Sequence, residues 1–272
     1  MATRPQVSPG IAENDGPAGA AVVARVLSEA LDVIPVLLAE ERLLPALTAV
    51  FQAAGLTPVS LLEAGRVAAA GARLSVVVPR PYPVDVASDQ APVELLEQIR
   101  PALAFSTERA GRNSRGVYHG SRGVDYRVGL AQIDRAFEEA ARRGIPTLCV
   151  GDGGNEIGMG LVAEAVQQHV RFGDRCLCGC GGGIGAVTGA DVLVTAAVSN
   201  WGCIAVANCL AVLLDRKDLL HTAPREAALL RRGVEVGLIN SSGGRVDADV
   251  DGIPEATHLA VAELLREICD RG

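Results

Sequence analysis

The densest run of reactive groups in the chain is GDGGNEIGMG, Gly151–Gly160. Its glycines let the backbone come close to a ligand, and amides at a helix start favour an anion. Asp152, Asn155 and Glu156 add oxygen ligands and proton carriers, of the kind that hard cations such as Mg2+ or Mn2+ take. A tight strand-to-helix turn with Asn155 as N-cap needs fewer glycines and no paired carboxylates, so the segment reads as functional. It does not match GxGxxG, and its acids would repel a pyrophosphate unless a metal intervened.

Four further segments carry polar groups at suggestive places. VSNWG, Val198–Gly202, ends an apolar run, and Ser199 and Asn200 there can orient a ligand or cap a helix. Asp15 precedes a Gly-Pro turn, where capping is the simpler reading. The stretch Glu108–Tyr126 offers Glu108, Arg109, Arg112, Arg115, Tyr118, His119, Arg122 and Asp125. Arginines on such a loop can clamp a dicarboxylate, or form a solvated basic surface. DADVDG, Asp247–Gly252, lacks the spacing and terminal Glu of an EF-hand and reads as a turn before the last helix.

Cys176, Cys178 and Cys180 form CxCxC, unlike the CxxC of zinc ribbons, and no second pair follows. Alternation is expected to place them on one strand face as small packed side chains. An odd total of seven cysteines without a secretory leader predicts reduced thiols and a cytoplasmic setting. His169, His221 and His258 read as ordinary surface or helix-end histidines.

These segments must be held by a scaffold. Apolar, β-branched runs at Val33–Leu38, Thr57–Leu62, Leu74–Val78, Ala102–Ser106, Thr147–Val150 and Val192–Val198 predict strands buried on both faces. Helical patterns cover Ala20–Leu31, Glu41–Ala54, Val93–Ile99, Leu130–Arg143, Ile157–His169, Cys203–Leu214, Pro224–Arg232 and Pro254–Arg271. The order predicts an α/β fold: an open, mostly parallel sheet with helices on both faces, a Rossmann-like three-layer sandwich. Ligands of such sheets bind at the carboxyl ends of the strands. A single domain over 1–272 is expected, with residues 1–12 a flexible tail.

Composition removes several functions. A net charge of −7, with 25 basic against 32 acidic residues, argues against nucleic-acid backbone binding. One Trp, three Tyr and four Phe are too few for stacking platforms. Lys217 is the single lysine and lies in DRKD, beside no glycine loop, so neither a nucleotide P-loop nor a pyridoxal phosphate Schiff base is expected. Val192–Leu214 carries no charge, but Ser199, Asn200, Trp201 and Gly202 break it, so a strand, turn and helix are predicted rather than a membrane span. Helices with few charges suit a homo-oligomer interface as well as a core.

Taken together, GDGGNEIGMG, SNWG, DGPAGA and the loop ER-x-G…G-x-Y-H…RG-x-D resemble the D-glutamate cyclase family. That domain stands at the C-terminal end of larger mitochondrial proteins and alone in bacterial ones. The resemblance runs from Glu13 to about Gly252, and the companion domain of the larger proteins is not in this sequence. It implies a lyase that closes D-glutamate to 5-oxo-D-proline with loss of water and without ATP. On that basis Asp152 and Glu156 are expected as acid/base or metal-holding carboxylates. Asn155 with the amides around Gly153 and Gly154 would stabilise an oxyanion. Ser199 and Asn200 would orient the substrate, Arg109 or Arg122 would hold a carboxylate, and Asp15 and Glu108 would join a divalent metal, Mn2+ or Mg2+. A metal-dependent hydrolase of a small acidic metabolite and a non-catalytic binder remain the alternatives.

Overall fold

A computed structural model describes residues 12–71, 74–84 and 90–271. Most of the expected tail, up to residue 11, lies outside the described residues. The chain divides into two compact units, Met1–Pro81 with Asn200–Gly272 and Tyr82–Ser199.

The first unit contains α1 (Pro17–Leu31), β1 (Val36–Ala39), α2 (Leu44–Ala53), β2 (Thr57–Pro58), α3 (Leu61–Ala69) and β3 (Val76–Pro81). Its strands are all parallel in the order β1-β3-β2, the crossovers being made by α2 and α3. Proline in the first turn starts α1 and α2, where its missing N–H costs nothing. The strand expected over Thr57–Leu62 is cut short. Ser60 accepts from the Glu63 amide while Glu63 accepts from the Ser60 amide, and this capping box starts α3 at Leu61.

In the second unit, α4 (Gln90–Ile99), β4 (Ala104–Thr107), α5 (Asp134–Arg142), β5 (Thr147–Gly151), α6 (Ala163–His169) and β6 (Val192–Thr195) follow in order. Its sheet is parallel throughout, β4-β5-β6. The helix expected from Ile157 begins only at Ala163, after a 3-10 turn over Met159–Val162. The amides of Gly158 and Gly160 donate instead to the Thr188 carbonyl, which holds this stretch out of a helix.

α7 (Ser199–Leu213) begins at the last residue of the second unit and continues in the first. α8 (Ala223–Glu235) and α9 (Glu255–Arg271) complete the first unit. Thr222 caps α8 by accepting from the Arg225 amide. The α/β class, the parallel pairing and the helical layers are those of the expected sandwich architecture, its strands forming two three-stranded sheets. Burial on both faces holds for β3 over Val76–Val78 and for most of β5, the central strands; flanking β6 is partly exposed. Among the described residues no helix is long and apolar enough to cross a membrane, and the uncharged run from Val192 supplies β6, a turn and α7.

Candidate active site

In the second unit the carboxyl ends of all three strands contribute. β4 leads into Glu108 and Arg109, β5 into Asp152–Glu156, and β6 through a short turn into Ser199. One carboxylate oxygen from each of Glu108, Asp152 and Glu156 lies within 4.8 Å of the other two. Ser199 Oγ donates to Glu108 Oε1. Glu108 itself has a left-handed backbone, φ 55°, a conformation that costs a non-glycine residue about 1 kcal/mol or more and clusters at functional sites.

Glu156 is the organising residue. Its side chain folds back over the loop and is buried. The Gly153 amide donates to Oε1 at 2.8 Å and the Gly154 amide to Oε2 at 2.7 Å. A Cβ on Gly153 would stand 2.8 Å from Glu156 Oε1, so the carboxylate occupies the space that a side chain would need. Burial pushes the Glu156 carboxyl above the usual carboxylate range, against the hydrogen bonds from Gly153, Gly154 and Asp152 that favour its charged form. Two interacting carboxyl groups titrate as a pair rather than separately.

This geometry places each of the expected residues. The amides of Gly153 and Gly154 are spent on Glu156, not left for an oxyanion. Asn155 caps no helix; its Nδ2 donates to the His119 carbonyl at 2.9 Å. Arg109, half-buried, donates through its guanidinium to the Ala131 carbonyl, and Arg122 is exposed. Arg112 does not face solvent as a loop arginine. It pairs with the fully buried Asp134 at 2.7 Å and with Glu138 at 2.7 Å, while Tyr118 Oη donates to Asp134 at 2.6 Å.

Asp15 and Asn200 belong to the first unit, where they lock two helix starts together. Asn200 Oδ1 accepts from the amides of Gly16, 3.0 Å, and Gly19, 2.7 Å, at the start of α1. Asp15 Oδ1 accepts in return from the Asn200 amide at 2.8 Å, in the first turn of α7. Asn200 Nδ2 donates to the Asn14 carbonyl at 3.1 Å. Asn200 thus holds the start of α1 against the start of α7. Asp15 caps α7, not the α1 that follows it. Asp249 likewise caps α9 by accepting from the Glu255 amide, consistent with a turn at DADVDG.

His221 and His258 are interior rather than superficial: His221 pairs with Glu226 at 2.8 Å, and His258 Nδ1 accepts from Trp201 Nε1 at 2.8 Å. The three CxCxC cysteines are not on a strand. They lie in the irregular stretch after α6, and their sulfurs gather at His119.

Three oxygen-rich side chains converging in this way form a donor set that fits a hard divalent cation. Their mutual repulsion is relieved by such an ion or by a shared proton.

A family model described as D-glutamate cyclase-like, C-terminal, matches residues 3–266, through both units. The chain is also 33% identical over 186 residues to human "D-glutamate cyclase, mitochondrial". That alignment covers 60% of this chain and 29% of the relative, so the chain spans less than a third of that protein's length. With a family match over nearly all of its length, this chain belongs to the D-glutamate cyclase-like C-terminal family.

Proposed function

We propose that this chain is a hydro-lyase that closes D-glutamate to 5-oxo-D-proline without ATP, residues 1–272 serving as one functional domain. The observation that carries the reading is the convergence of Glu108, Asp152 and Glu156 at the ends of β4 and β5. The name of the human relative supports the substrate. In the reaction the α-nitrogen gives up two protons and forms a bond to the γ-carbon. One γ-oxygen leaves with those two protons as water. A carboxyl pair sharing one proton suits this exchange: Asp152 accepts from the α-ammonium while Glu156 donates to the departing oxygen, and the pair ends in its starting charge state. Ser199 holds Glu108, and Glu108 in turn borders the pair. Arg109 and Arg122 are the cations proposed to bind the substrate carboxylates. Where Mn2+ or Mg2+ takes the place of the shared proton, Glu108, Asp152 and Glu156 would hold it, and it would supply Lewis-acid polarisation of a carboxyl oxygen.

The test incubates metal-stripped protein with D- or L-glutamate, with and without Mn2+ or Mg2+, and follows 5-oxoproline by chiral chromatography. Product from the D-isomer alone is expected, with Asp152→Asn slower by about 10²–10⁴-fold, the usual share of acid-base catalysis. Absence of product under every condition overturns the reading.

A further inference from the structure

A second cluster stands apart from the carboxylates. His119 Nε2 lies 3.2 Å from Cys178 Sγ and 4.0 Å from Cys180 Sγ. Cys176 Sγ lies 3.4 Å from Cys178 Sγ and 3.3 Å from Cys180 Sγ. All four donor atoms fall within 4.8 Å of one another. Around a tetrahedral zinc ion, Zn–S of about 2.3 Å and Zn–N of about 2.0 Å put S···S near ~3.8 Å and S···N near ~3.6 Å. The observed S···N distances of 3.2 and 4.0 Å bracket the second value, and the S···S distances of 3.3 and 3.4 Å fall about 0.4–0.5 Å short of the first.

The local backbone is built for this convergence. In an extended strand, side chains two residues apart are separated by about 6.6 Å, so alternate sulfurs could not meet. Here Gly179 and Gly181 are left-handed, φ 82° and 75°, and they curl the chain until Cys176, Cys178 and Cys180 face one point. Asn113 Nδ2 donates both to Cys180 Sγ, 3.3 Å, and to the Gly183 carbonyl, 2.7 Å, a contact that stabilises a thiolate and fixes the turn. His119 is fully buried, and its Nδ1 has no hydrogen-bond partner among the described residues. Its Nε2 is the ring atom that faces the sulfurs, 3.2 Å from Cys178 Sγ, so an ion at the cluster would be bound there.

We infer that His119, Cys176, Cys178 and Cys180 form a closed Cys3His site for a structural Zn2+ ion. Three thiolates and one imidazole fill the tetrahedron and leave no open position, which marks the site as structural rather than catalytic. Its second effect is on the active-site loop. The His119 carbonyl receives the Asn155 side chain, and the Ala186 amide, beyond the cysteines, donates to the Gly154 carbonyl. The ion therefore pins two irregular segments against the loop that carries Asp152 and Glu156.

The experiment needs no substrate, so its outcome is separate from that of the cyclase reading. Protein purified without chelator is measured for metal by plasma mass spectrometry; one zinc per chain is expected. Stripped under reducing conditions and reloaded with Co2+, it should show the thiolate charge-transfer and tetrahedral ligand-field bands of a sulfur-rich site. Cys178→Ser, at an exposed position, should lose those bands or weaken zinc retention against a chelator, while Cys209→Ser, outside the cluster, should behave as the parent. Hydrogen exchange should rise on stripping in residues 113–126 and 150–158. A reduced parent protein that takes up neither metal overturns the proposal. So does an iron-sulfur spectrum, or a Cys176→Ser/Cys178→Ser protein that keeps its full zinc.

Discussion

Replacing Asn200 by alanine tests whether SNWG is chiefly a helix lock. The side chain is fully buried and makes three hydrogen bonds, from Gly16 and Gly19 to Oδ1 and from Nδ2 to Asn14. Alanine orphans the Gly19 amide and the Asn14 carbonyl, and leaves the Gly16 amide with Asp15 Oδ1 alone, at 3.0 Å. A buried group left unsatisfied costs about 1–3 kcal/mol, and loss of a single helix cap about 0.5–2 kcal/mol. Because water and local relaxation recover part of the sum, a net loss of about 3–5 kcal/mol is expected. For a chain of this size that lowers Tm on the order of 10 °C, at about 2–4 °C per kcal/mol. Urea unfolding followed by circular dichroism and by the fluorescence of Trp201, the single tryptophan, measures it directly. Asn200→Asp is the sharper companion. It keeps the acceptor of both amides, loses the donor to the Asn14 carbonyl and brings a charge beside Asp15, so it should be less stable at neutral pH and partly recover in acid. An alanine variant within about 1 kcal/mol of the parent would refute the reasoning, because an orphaned buried amide cannot be that cheap. If stability held while turnover collapsed, Asn200 would be touching substrate instead.

Three further perturbations probe other parts of the molecule. Gly19→Ala would place a Cβ 2.6 Å from Cys203 Cβ, so a loss of about 1–3 kcal/mol is expected from overpacking. A cycle with Cys203→Gly should show coupling, and strict additivity would sink the idea of close helix approach. Arg112→Ala leaves Asp134 buried with its charge, and a loss of about 3–5 kcal/mol is expected, partly restored by adding Asp134→Asn. A cost below about 1 kcal/mol in calorimetry would show that the pair is not what holds the loop. For Glu156 the folded carboxyl sits above its unfolded value of about 4.3, so the folded state binds more protons between the two. Stability of chelator-treated protein should therefore fall as pH rises from about 4.3 through the raised folded value. Glu156→Gln should lower stability, since one backbone amide loses its acceptor, and should flatten that slope. An unchanged slope in urea midpoints against pH would assign it to other groups.

The alternation of apolar strand runs with helical patterns was readable from sequence, because each signal is local. A strand declares itself by a short β-branched run, and a helix by its period and its caps within four residues. The same locality made GDGGNEIGMG recognisable after β5. A further local signal is the pair Ser60 and Glu63, the capping box that ends β2 early. What residue patterns left open was where side chains many residues away would arrive. Asn200 meets Gly16 across 184 positions, and His119 meets Cys178 across 59. No period or spacing encodes these meetings; they follow from the order of strands in each sheet and from the path of the irregular segments between them. The glycines of the candidate-site loop, Gly153 and Gly154, illustrate the division. Sequence alone establishes that the backbone there is free to bend. Only the tertiary structure shows that the room is taken by the carboxylate of Glu156, because burial of that side chain depends on everything packed around it.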